Sequence, residues 1–168
     1  AGYYNSGLMI SDIEINPEND SEIWLTFSRF TEYGNVRVLH STDMGETWDD
    51  LTGNLPEVPA TQIEYDPVTN RLFVGTDVGI FERVGYKRWA RHGEFPMAPV
   101  ITMYINDIYQ NVSVGTYGRG LWRANLTCAT GNELVVDNNQ IWNYDTLSCD
   151  NIRVTNGATL TLNGALTL

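Results

Sequence analysis

Apolar and polar residues alternate in short runs along the 168-residue chain, and Asn, Asp, Gly and Pro punctuate the runs. No long stretch places apolar residues at i, i+3, i+4 and i+7, the spacing that gives a helix one apolar stripe. Alternation of period two instead marks half-buried strands, whose side chains point to opposite faces in turn. The pattern predicts strands at about 10–16, 22–28, 36–41 and 47–52, then at 61–66, 71–76, 79–84 and 88–92. Three more are expected at 101–106, 111–116 and 120–125. Gly, Thr and Asn supply 48 of the 168 residues, which favours turns and strands over helix. The expected fold class is all-β.

The runs repeat. Ile13-Glu14-Ile15-Asn16-Pro17 followed by Glu22-Ile23-Trp24-Leu25-Thr26-Phe27 reads as strand, proline turn, strand. Ile63-Glu64-Tyr65-Asp66-Pro67 with Arg71-Leu72-Phe73-Val74-Gly75-Thr76 is a second copy, and Met103–Asp107 with Asn111–Thr116 a third. Gly75-Thr76 returns as Gly115-Thr116 after 40 residues, and Trp48 and Trp89 lie 41 apart. Four short strands in about 40 residues make one blade of a β-propeller. The expectation is therefore a partial propeller: two four-stranded blades, then three strands of a last blade. A closed ring needs about 4–8 blades, so the chain reads as a C-terminal segment of something larger.

Between the third and fourth strands, Ser41-Thr42-Asp43-Met44-Gly45-Glu46-Thr47-Trp48 fits the Asp-box, S-x-D-x-G-x-x-W. Its residues read as turn chemistry. Gly45 supplies a backbone conformation that a Cβ resists, Ser41 and Asp43 accept backbone N–H bonds, and Trp48 is expected between blades. With Ile10–Ile13, Asn54-Leu55-Pro56, Gly75–Gly79 and Thr116-Tyr117-Gly118-Arg119-Gly120-Leu121-Trp122, the box resembles the final blades of Asp-box (BNR-repeat) propellers. These form the sialidase-like superfamily of sialidases, xyloglucanase-type glycoside hydrolases and sortilin-type receptors. The likeness covers about residues 7–127 and extends to large secreted bacterial proteins, often exported by the type IX route. It implies a fold and a secreted or cell-surface location in a bacterium, but no single activity.

From Thr127 the pattern changes. Residues 128–168 read as a second, truncated β module, either a β-solenoid or a β-hairpin. Asn156-Gly157 and Asn163-Gly164 lie among the alternating Leu160-Thr161-Leu162 and Leu166-Thr167-Leu168, and strand–Asn-Gly–strand is a hairpin signal. Cys128 and Cys149, the chain's two cysteines, both fall here. In a secreted protein a disulfide between them would stabilise by roughly 3 kcal/mol; two free buried thiols are the alternative. Asn111-Val112-Ser113 and Asn125-Leu126-Thr127 match the N-glycosylation sequon, and Asp145-Thr146-Leu147 resembles a bacterial O-glycosylation pattern.

Charge removes several function classes. Ten Lys and Arg face 21 Asp and Glu, a net charge of −11, and Lys87 is the lone lysine. Phosphate-tracking proteins need a basic face, so neither nucleic acid nor membrane insertion is expected. The Ala1–Tyr4 start lacks a basic and an apolar leader region, so no signal peptide is expected in it. Metal-hydrolase, P-loop, nucleophile-elbow and EF-hand motifs do not occur. No cofactor and no metal site are expected; Asp49-Asp50 and Asp137-Asn138-Asn139 read as solvated surface.

Propeller ligand sites lie on the face opposite the Asp-box. That selects Asp12 and Asp77 as candidate catalytic carboxylates, with Gln62, Tyr117 and Arg119 as candidate ligand contacts. A glycosidase needs two carboxyls about 5–10 Å apart across the sugar. The competing reading gives Asp12 and Asp77 turn hydrogen bonds and Arg119 a carboxylate on an adjoining blade. The expected function is a non-catalytic binding or scaffold segment of a secreted propeller protein, its partners an extracellular glycan or protein and further blades. The alternative is the C-terminal part of a glycoside hydrolase whose catalytic residues lie mainly in other blades. By itself the segment is expected to be inactive.

Overall fold

The computed structural model describes residues 9–28, 36–92, 95–106, 111–126, 133–136, 140–148, 151–154 and 156–167. Every regular element among them is a strand. Two compact units form: Ala1–Tyr104 with Val114–Trp122, and Ile105–Ser113 with Arg123–Leu168.

The first blade is a four-stranded antiparallel sheet, β1 (Ile10–Ile15), β2 (Ile23–Phe27), β3 (Val38–Ser41) and β4 (Asp49–Asp50), in sequential order. The second repeats it with β5 (Ala60–Asp66), β6 (Arg71–Thr76), β7 (Gly79–Gly85) and β8 (Arg88–Arg91). A third, three-stranded sheet holds β9 (Val100–Asn106), β10 (Asn111–Thr116) and β11 (Gly120–Asn125). The strands sit within a few residues of the sequence pattern. Their turns show why. Asn16 Oδ1 accepts the Glu18 N–H at 2.9 Å beside Pro17, and Asp66 Oδ1 accepts that of Val68 at 3.1 Å beside Pro67. Each short polar side chain closes its own turn while proline presets φ.

The two complete blades share a core. Trp24, Val38, Leu51 and Leu55 from the first meet Ala60, Ile63, Leu72, Val74 and Trp89 from the second. Each Val, Leu or Ile among them contributes about 1.5–3 kcal/mol by leaving water. Trp89 is also fixed by hydrogen bonds: its Nε1 donates to Leu51 O at 2.8 Å, and Asn54 brackets its backbone N–H and C=O at 2.6 and 2.9 Å. On the far face of the second blade, Arg71 grips Glu82 with two bonds of 2.7 and 2.6 Å and lies over the Phe73 ring.

The tail strands correct the hairpin reading. β12 (Glu133–Val136) pairs with β14 (Asn151–Val154), and β13 (Gln140–Ser148) pairs with β15 (Leu160–Thr167), both parallel. Partners lie 18 residues apart in the first pair, as in Glu133 and Asn151, and 20 apart at Gln140 and Leu160. A near-constant offset between parallel strands is the geometry of solenoid rungs. Asn156 and Gly157, at φ 53° and 71°, form a corner between strands that do not pair with each other. Asn163-Gly164 lies inside β15, opposite a register shift in β13. Cys128, Cys149 and Asp137-Asn138-Asn139 lie outside the described residues.

Candidate functional site

The inner strands β1 and β5 each carry a β-bulge at the same place. Pairing with the neighbouring strand slips between Ile10 and Asp12 in β1, and between Ala60 and Gln62 in β5. A bulge inserts one unpaired residue and re-aims the side chains beside it. Here two consecutive polar side chains turn toward the next blade. Ser11 Oγ donates to Ala60 O at 2.6 Å, and Thr61 Oγ1 donates to Val100 O at 2.8 Å. Asp12 Oδ2 accepts the Ile63 N–H at 3.0 Å, and Gln62 Oε1 accepts the Met103 N–H at 3.3 Å. Each complete blade thus fastens the following inner strand with one hydroxyl donor and one side-chain acceptor.

Asp12 divides its carboxylate, with Oδ1 taking the Ile13 N–H at 3.0 Å. Glu14 extends the fastening by accepting the Tyr65 N–H at 3.2 Å. Burial pushes the Glu14 carboxyl above its usual range; the Tyr65 N–H works against that shift and the nearby Asp12 charge adds to it. Two glycines on second strands leave room for β9: Gly75 of β6 faces it from the second blade, and Gly115 of β10 faces it from within the same sheet. A Cβ on Gly75 would stand 2.6 Å from Val100 Cγ1, and one on Gly115 would stand 2.8 Å from Thr102 Cγ2.

The other candidates sit on turns. Asp77 lies between β6 and β7, where its N–H reaches Pro59 O at 3.3 Å; Tyr117, between β10 and β11, does the same to Pro99 O at 2.8 Å. The Tyr117 side chain is 74% exposed. Arg119 is exposed between Gly118 and Gly120, both at φ 76°, and its carbonyl accepts the Trp122 Nε1–H at 2.8 Å. The structure therefore sends Asp12 and Gln62 sideways into neighbouring blades and leaves Tyr117 and Arg119 at the surface. Ser11, Thr61 and Glu14 complete the fastening but were not among the sequence candidates. Two adjacent polar residues inside an otherwise alternating strand were the available signal.

At the opposite turns, the Ser41–Trp48 segment is held by its own side chains. Ser41 Oγ accepts the N–H groups of Asp43 and Gly45 at 3.2 and 2.8 Å and donates to Asp43 Oδ1 at 2.7 Å. Asp43 accepts from the Thr47 hydroxyl at 2.5 Å and the Thr47 N–H at 2.8 Å. The Thr47 hydroxyl is the largest influence, followed by the Thr47 N–H and Ser41; together they lower the Asp43 carboxyl to about 2. Met44 and Gly45 take φ 59° and 87°. Trp48 lies against Leu25, Phe27 and Leu39 of its own sheet and donates to Gly45 O at 2.9 Å. Near this turn, His40 stacks on Trp24 at 5.2 Å and meets Glu22 at 2.9 Å, while Tyr65 covers the indole at 4.9 Å. Among the described residues, no group of three or more His, Cys, Asp or Glu is placed to hold a metal.

No family model and no curated protein matches the sequence. Solved structures do match. An ancestral GH74 enzyme is 20% identical with a TM-score of 0.56, over 68% of this chain and 14% of that one. The GH74 xyloglucanase from Xanthomonas campestris is 16% identical with a TM-score of 0.56, over 69% of this chain and 22% of its own. YCF48 from Cyanidioschyzon merolae is 15% identical with a TM-score of 0.53, over 73% and 35%. The chain spans 14% to 35% of the length of these structures. At such identities the likeness is one of fold: these sheets are part of a β-propeller.

Proposed function

We propose that the chain is a non-catalytic part of a larger extracellular propeller protein, binding a glycan or protein or holding a catalytic domain in place. The supporting observation is the use made of Asp12. Both its oxygens are engaged by backbone N–H groups, of Ile13 and Ile63, which suits a fastening better than a proton shuttle. Tyr117 and Arg119, exposed on adjoining turn positions, are the side chains best placed for a ligand. In this reading residues 1–127 are the blades and 128–168 a separate module. The Ser41–Trp48 turn supports kinship with Asp-box propellers, and the charge of −11 suits an exported surface.

A second reading is a stretch of a glycoside hydrolase whose acid and base lie on other blades. It is favoured by the likeness to two GH74 enzymes, one of them a xyloglucanase. The two readings separate on a glycan array and in a hydrolysis assay with xyloglucan and aryl glycosides, run on residues 1–168 and on any longer form. Binding without turnover, weakened by Tyr117→Ala or Arg119→Ala, is the expected result. Turnover by a longer form that Asp12→Asn or Asp77→Asn abolishes would sink the non-catalytic reading.

A further inference from the structure

Strand β8 ends the sheet of the second blade, and its pairing shows which of its backbone groups turn outward. The His92 N–H donates to Ile80 O at 2.9 Å, on the β7 side. Backbone direction alternates along a strand, so Ala90 also faces β7, while Trp89 and Arg91 turn their N–H and C=O groups away from the sheet. An outward row of this kind is a template for another strand. At Trp89 it is met by a side chain. Asn54 Oδ1 accepts the Trp89 N–H at 2.6 Å, and Asn54 Nδ2 donates to the Trp89 carbonyl at 2.9 Å. A carboxamide does both at once because it carries an acceptor and donors side by side, so Asn54 reproduces one step of an antiparallel ladder. The turn that delivers it is pressed against the same edge. The Leu55 N–H closes the turn onto Thr52 O at 3.0 Å. Gly53, at φ 50°, leaves open the space in which a Cβ would stand 1.9 Å from Lys87 O. The Trp89 indole is buried in the core and tied to Leu51 O, which holds the strand in place independently of what covers its edge.

We infer that the Thr52–Leu55 turn is an edge cap, and that Asn54 keeps β8 from pairing with β8 of a second copy of this chain. The pairing it blocks is antiparallel and two-fold, with Ala90 opposite Ala90. Trp89 and Arg91 of the second copy then exchange N–H···O=C bonds, and the symmetry repeats the exchange between Arg91 and Trp89 of the second copy. A second copy is the occupant because each edge supplies the groups that the other receives, at the same two positions. Its exposed arginines do not oppose the pairing: in this register Arg88 falls opposite His92, and Arg91 opposite Trp89.

The test removes the cap. Asn54→Ala is compared with the parent chain by sedimentation and by amide hydrogen exchange at Trp89, each from dilute to concentrated solution. The Phe73 and Val74 amides report that the chain is folded. In dilute Asn54→Ala the Trp89 amide is expected to exchange about tenfold or more faster than in the parent. Protection should return as the concentration rises and dimers form, whereas in the parent it should not depend on concentration. Adding Arg91→Pro removes an outward N–H and no bond to β7, and should abolish both the dimer and the returning protection. Gly75→Ala, which strains the contact with Val100 and leaves this edge alone, should not dimerise. An unchanged Trp89 amide in Asn54→Ala would overturn the cap. A fast Trp89 amide with no association at any concentration would overturn the second copy as occupant. Equal association in Gly75→Ala, or association that survives Arg91→Pro, would overturn pairing through this edge. If Phe73 and Val74 lose protection in Asn54→Ala, Asn54→Asp replaces it. Aspartate keeps the acceptor and suits the turn but lacks the donor, and its association and reversal by Arg91→Pro decide the question in the same way.

Discussion

Substituting Gly75 by alanine probes how closely β6 of the second blade approaches β9, the inner strand of the third sheet. The new methyl would sit 2.6 Å from Val100 Cγ1, 3.0 Å from Val100 Cβ and 3.3 Å from Gln62 Cβ. Carbon atoms prefer separations of about 3.5–4.0 Å, so roughly 1 Å of relief is needed. Val100 is buried and held in the sheet, and Gln62 is tied to the Met103 N–H, so neither yields freely. Overpacking of this kind costs about 1–3 kcal/mol. Against it, alanine restricts the unfolded chain and returns about 0.4–1 kcal/mol. The net expectation is a loss of about 1–2 kcal/mol, seen as a lower urea midpoint at unchanged slope with tryptophan fluorescence as the probe. Val100→Ala removes the methyls the new group meets. The double variant should therefore be more stable than the two single losses imply, by about 1 kcal/mol. A Gly75→Ala chain as stable as the parent, or strictly additive losses, would refute the close approach.

Three further outcomes test other contacts. Asp12→Ala should cost about 1–3 kcal/mol in the same urea assay, because it strips a charged acceptor from the Ile63 N–H, while Asp12→Asn, which keeps an oxygen there, should cost less. Asp43 is lowered from 3.8 to about 2 in the folded chain, so its stabilising effect is complete above pH 3.8 and is lost as pH falls through 2. Carboxyl NMR should give Asp43 that low midpoint, and Thr47→Val should raise it. Glu82→Ala removes the carboxylate that holds the mostly buried Arg71 guanidinium by two bonds and should destabilise by about 1.5–3 kcal/mol on thermal or urea unfolding; an unaffected midpoint would show the ion pair to be dispensable.

The blades were legible because their signals are local. Alternation, the Asn16-Pro17 and Asp66-Pro67 turns and the glycine-bearing hairpins each specify geometry within a few residues, and the structure places strands where those patterns fall. The aim of Asp12 and Gln62 was not legible in the same way. Strict alternation puts Ser11 and Asp12 on opposite faces, but the bulge undoes that alternation and turns both toward Ala60–Ile63. The tail shows the same limit. Asn-Gly signals a hairpin when the flanking strands pair with each other, yet β15 pairs with β13, 20 residues back. Nothing local to Asn156-Gly157 encodes that choice. Asn163-Gly164 lies in a strand, where the pair's turn preference is overridden by the parallel ladder.

The one-way fastening between inner strands also bears on how such a chain can be rearranged. Because the second blade presents a donor and an acceptor on one side and receives a matching pair on the other, its two flanks are not interchangeable. Segment duplication or exchange preserves the contact when the crossover falls in a connector such as Leu51–Pro59, outside the bulged strands. A crossover inside residues 10–13 or 60–63 would separate the giving side chains from the receiving backbone of the same strand. Recombination should therefore move whole blades in fixed orientation, with the outer hairpins free to vary around an inner strand whose polarity is conserved by its own hydrogen bonds.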